Sequence, residues 1–99
     1  MPSSLKTFDE FDQLLASARA EVDAMHLVEP DDGAIASVKR QLEALHGWTR
    51  GARCPSQPEK DQLNFGQIVS RALDNYPVAG SLFELASFVI YWDATTDAA

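Results

Sequence analysis

Ninety-nine residues with 45% hydrophobic side chains, five glycines and five prolines suffice for one domain with a modest core, and the composition is too ordinary for a disordered chain. Fifteen acidic against eight basic residues give a formal charge of −7, which disfavours nucleic-acid phosphate and anionic lipid as partners and favours a basic protein. The single Cys54 has no disulfide partner within the chain, MPSSLKTFDEF lacks a signal-like apolar run, and the most apolar stretch, Leu82 to Trp92, contains Glu84 and is too short for a membrane span, so the cytoplasm is the expected location.

Phe8, Phe11, Leu15, Ala18, Val22 and Met25 recur at alternating intervals of three and four, the spacing that stacks side chains on one stripe of a helix. This predicts a first helix over 5–26, with Thr7 or Ser4 as its cap and early acids that suit the helix dipole. EPDDGA follows, in which Pro30 stops one helix and Asp31 or Asp32 caps the next. Ile35, Val38, Leu42 and Leu45 continue the same alternation to Trp48 and predict a second helix over 32–49, with Gly47 and Gly51 at its end. The short link implies an antiparallel pair.

RGARCPSQP, residues 50–58, has no period and reads as the irregular connection between two hairpins. Ser56 is placed to cap a third helix over 58–75, with Phe65, Ile68 or Val69, Ala72 and Tyr76 on its apolar face. NYPVAGS breaks that helix, and Pro77 fits the first turn of a fourth that runs to Asp93. The sum is an all-α fold, an antiparallel four-helix bundle of two hairpins forming one domain over 1–94, with 95–99 as a frayed tail. The fourth helix is apolar around nearly its whole circumference. Either it is deeply buried, or some of Phe83, Phe88, Tyr91 and Trp92 face another chain.

Catalytic and metal motifs are missing. His26 and His46 lie outside any metal-ligand spacing and fall near helix C-termini, where a cation is favoured. Aligning Gly33 of the DDG triplet with the glycine of a calcium-binding loop puts Val28 at the first ligand position and Lys39 at the terminal glutamate, which excludes that motif. Cys54 has Arg50 and Arg53 nearby to lower its pKa but no identifiable base. The expectation is a non-enzyme with no cofactor, whose surface is its function.

Gly66 stands inside the third predicted helix, where glycine costs about 0.5–1 kcal/mol relative to alanine, and close approach of a neighbouring helix is the gain that would justify it. It belongs to QLNFGQIVSRALDNYPVAGSLFELASFV, residues 62–89. In Leu63, Gly66, Ile68, Asp74, the turn at Pro77, Leu82 and Leu85, this segment resembles the C-terminal half of small helical immunity proteins of bacterial type VI secretion effectors. The similar proteins are those that neutralise NAD(P)+-glycohydrolase toxins. The resemblance implies a cytoplasmic antitoxin that binds and occludes a cognate toxin domain, one that targets NAD or another nucleotide. A helical adaptor, or a homodimer through the fourth helix, is the alternative.

Two candidate contact surfaces follow from the two-hairpin topology. One end would gather Glu29, Asp31, Asp32, Asp74 and Tyr76, with Asn75 beside them, unless the aspartates serve only to cap. The opposite end offers Trp48, Arg50 and Arg53, residue types enriched at interface hot spots.

Overall fold

A computed structural model describes Leu5 and residues 7–92. Among them all regular structure is helical: α1 (Phe8–Val28), α2 (Gly33–Trp48), α3 (Gln57–Asp61), α4 (Phe65–Ile68) and α5 (Ala79–Tyr91), with a 3₁₀ turn at Arg50–Ala52 and a π-helical turn at Val69–Leu73. Ser4, Asp93 and the predicted tail 95–99 lie outside the described residues.

The first two helices follow the periodicity closely. Thr7 caps α1 through a reciprocal box, its hydroxyl accepting from the Glu10 N–H while the Glu10 carboxylate accepts from the Thr7 N–H, both at 3.1 Å. The stripe of α1 buries Phe11, Leu15, Ala18 and Val22 against Ile35, Val38, Leu42 and Leu45 of α2. Asp32, not Asp31, caps α2, its Oδ1 accepting from the N–H groups of Ala34 and Ile35 at 2.9 and 3.1 Å. Lys39 lies between Asp23 of α1 at 3.2 Å and Glu43 of its own helix at 2.5 Å, so the pair is also tied at the surface.

The end of α2 differs from expectation. Gly47 lies within the helix, which stops at Trp48, and the chain turns through Thr49. Thr49 is buried, and its hydroxyl donates to the Leu45 carbonyl at 2.9 Å, so the helix ends without stranding a polar group. Gly51 follows in the left-handed region at φ 74°.

The third predicted helix is not continuous. Ser56 does cap a helix, through a second reciprocal box with Glu59, but α3 ends at Asp61 and the chain restarts at Phe65. The break is imposed from outside the segment. Gln41 of α2 accepts from the Asn64 N–H at 2.8 Å and donates its amide to Asn64 Oδ1 at 2.6 Å, which holds Asn64 out of helical register.

Beyond the break Phe65, Val69 and Leu73 are buried while Ala72 is exposed, so the apolar face differs from the predicted set. A repeat of four drifts around a helix with 3.6 residues per turn. Widening to i→i+5 hydrogen bonding at Val69–Leu73 keeps all three residues on the core.

Pro77 falls in the turn before α5, not in its first turn, because the helix begins at Ala79. Helix α5 closes the core with Ala79, Leu82, Leu85 and Val89. Of the four aromatics considered for an outer face, Phe88 and Trp92 turn inward. Phe88 stacks on Phe11 at 4.7 Å between ring centroids, and Trp92 meets Phe8, Phe11 and Phe88 at 5.9, 5.6 and 5.3 Å. This cluster joins the start of α1 to the end of α5. Phe83, Ile90 and Tyr91 remain 42%, 69% and 55% exposed.

The molecule measures 40 × 22 × 21 Å, and α1, with 21 residues at about 1.5 Å each, spans about 31 Å. No described helix is long and apolar enough to cross a membrane.

Candidate functional site

Two regions stand apart from the packed core. The first is built where the α1–α2 link meets the turn before α5. Tyr76 donates its hydroxyl to Glu29 Oε2 at 2.7 Å, joining residues 47 positions apart. That bond, then partial desolvation and the negative charges of Glu29 and Asp32, hold the phenol above its ordinary value of 10.0. Glu29, Asp32 and Tyr76 are therefore gathered as the topology predicts. Asp31 is exposed in the same link, and Asp74 and Asn75 are exposed just before Tyr76.

Asp32 has a structural task, since Oδ1 carries both cap bonds. Two residues absent from the sequence-based set lie at this end. Leu27 and Val28 close α1 and are 82% and 80% exposed. Their signal was present: both are apolar but fall off the stripe that ends at Met25. Neither residues 27–36 nor residues 72–81 contain a lysine or arginine, so these two segments combine exposed apolar surface with carboxylates and no basic residue of their own.

The opposite candidate end is only partly assembled. Arg53 is engaged by Glu59, whose two carboxylate oxygens both accept from its Nη2 at 2.8 Å, and Trp48 is half-buried. Arg50 is exposed in the 3₁₀ turn. Nothing in this geometry unites the three as one surface.

The second region is an open groove of about 560 Å³ between the segment 60–71 and α5. Its floor forms where Gly66 passes α5, because a Cβ at position 66 would lie 3.2 Å from the Cβ of Ala86. The close approach expected from Gly66 is thus observed, though in the first turn of α4, not in a helix interior. Phe83 and Ile90 stand along the groove, and Lys60 and Arg71 line it as well. Lys60 donates to the Trp92 carbonyl, which also accepts from the Cys54 thiol at 3.5 Å.

Among the described residues no group of three or more His, Cys, Asp or Glu side chains could hold a metal ion. His26 and His46 sit in the last turns of α1 and α2, as expected. The thiol of Cys54 faces backbone carbonyls of Pro55 and Trp92. The chain matches no family model, no curated protein and no solved structure.

Proposed function

We propose that this chain is a non-catalytic binding domain of the immunity type, an antiparallel bundle of two hairpins that inhibits a cognate toxin by covering its active site. The observation that carries the reading is the acidic end, where Leu27 and Val28 are exposed beside Glu29, Asp31 and the Glu29–Tyr76 bond. Exposed apolar side chains supply area to bury, and the carboxylates around them supply long-range attraction and orientation.

A toxin that acts on NAD or another nucleotide binds an anionic substrate, so its active site is expected to be cationic. A carboxylate-rich projection fits such a site by charge and competes with the substrate for it. The resemblance of residues 62–89 to type VI immunity proteins points to the same partner class, in the cytoplasm of the producing bacterium.

Titration of a purified toxin domain encoded beside this gene tests the proposal. Activity should fall linearly to zero at one equivalent of this protein. Failure to form a complex, or inhibition that needs turnover of a small molecule, would remove the reading.

A further inference from the structure

We infer that the groove between residues 60–71 and α5 is a second docking site, whose occupant is an amphipathic helix of another protein carrying carboxylates at the borders of its apolar face. The inference rests on the groove alone and stands whether or not the acidic end meets a toxin.

The sign of the charge selects the partner. In a chain with fifteen acidic and eight basic residues, this groove is lined by Lys60 and Arg71 and by no carboxylate. Arg71 makes no ion pair among the described residues, and Lys60 meets a neutral carbonyl of Trp92, so both charges remain uncompensated. The rest of the strongly acidic surface repels an acidic ligand and directs it to this strip.

The apolar geometry selects a helix. Phe83 and Ile90 are separated by two helical turns, about 10.5 Å at 1.5 Å per residue, which is also the distance between residues i and i+7 of a guest helix. The close passage of Gly66 at Ala86 leaves a trough between the two flanking segments instead of a ridge. A guest that binds as a β-strand would need a free sheet edge, and all regular structure among the described residues is helical. A helix satisfies its own backbone and offers side chains alone. A second copy of this chain fits poorly, because an isologous groove-to-groove contact would set Lys60 and Arg71 against their own counterparts.

The test is selection of helical peptides from an unbiased displayed library on the intact protein. Supporting results are enrichment of peptides with apolar anchors spaced i, i+3 or i+4, i+7 and flanking Glu or Asp, with amide shift changes confined to residues 60–71 and 83–90. Their affinity should fall at least tenfold with either Arg71→Glu or Ile90→Ser, both at exposed positions, in variants that keep the wild-type melting temperature. If either variant fails to fold, Arg71→Gln and Phe83→Ser take its place. The inference is overturned if no helical peptide is enriched, if the enriched peptides are basic, or if their affinity is unchanged in the folded variants. Occupation of the groove by dodecanoate without any peptide overturns it too, as does a dimer in sedimentation that Ile90→Ser dissociates.

Discussion

Replacing Gly66 by alanine should not stabilise the protein, although alanine is the better helix former. The added Cβ would lie 3.2 Å from the Cβ of Ala86, inside the roughly 3.5–4.0 Å at which carbon pairs attract. Helix propensity returns at most about 1 kcal/mol, and less in the first turn where Gly66 sits. Overpacking a fitted contact costs roughly 1–3 kcal/mol. Gly66→Ala should therefore fall between neutral and about 2 kcal/mol destabilising, and the bulkier Gly66→Leu should cost about 1–3 kcal/mol. In a domain of this size each kcal/mol moves Tm by about 4–8 °C. The decisive assay is a double-mutant cycle with Ala86→Gly, read by urea denaturation. Removing the Ala86 methyl should relieve the contact, giving a coupling of at least about 0.5 kcal/mol. Additive effects, or a raised Tm for Gly66→Leu, would show that the two backbones do not constrain each other and would refute the explanation of the glycine.

Three further predictions concern the elements that hold the two regions. Asp32→Ala should cost about 0.5–2 kcal/mol through loss of the α2 cap, whereas Asp31→Ala should stay within about 0.5 kcal/mol; equal effects would contradict the cap assignment. The Glu59 carboxyl is held below its ordinary 4.5 by the Ser56 N–H, against some desolvation, and by Arg53. Its depressed folded-state pKa means that its stabilising contribution is present above 4.5 and is lost as pH falls through the lower folded value, so Glu59→Gln should flatten the acid limb of a Tm-against-pH profile. Trp92→Ala should cost about 3–5 kcal/mol by emptying the aromatic cluster that joins α1 to α5, and a smaller loss in thermal unfolding would show that Phe8, Phe11 and Phe88 close over the gap.

Helices α1 and α2 were legible because each packs one continuous stripe and carries a cap within three residues of its start. The third segment was not, for two reasons. Its break at residues 62–64 contains neither glycine nor proline and is set by Gln41, 23 positions earlier. Its apolar positions Phe65, Val69 and Leu73 step by four, which a search for three-four alternation misassigns to Ala72. In α5 the all-round hydrophobicity was readable, but the division between inward Phe88 and Trp92 and outward Phe83, Ile90 and Tyr91 depends on where α1 lies. The gathering of Glu29 with Tyr76 could be anticipated from topology. The groove could not, since Lys60 and Arg71 come together with Phe83 and Ile90 only through tertiary packing.

The most direct test of the occlusion account is the association rate with the toxin domain as ionic strength is raised, for wild type and for the Glu29→Lys, Asp31→Lys, Asp74→Lys triple variant, which keeps the Asp32 cap. Electrostatic guidance through the acidic end predicts fast wild-type association that slows steeply with salt, and a folded variant that associates more slowly with a flatter salt dependence. Equal rates for the two proteins at low salt would contradict it.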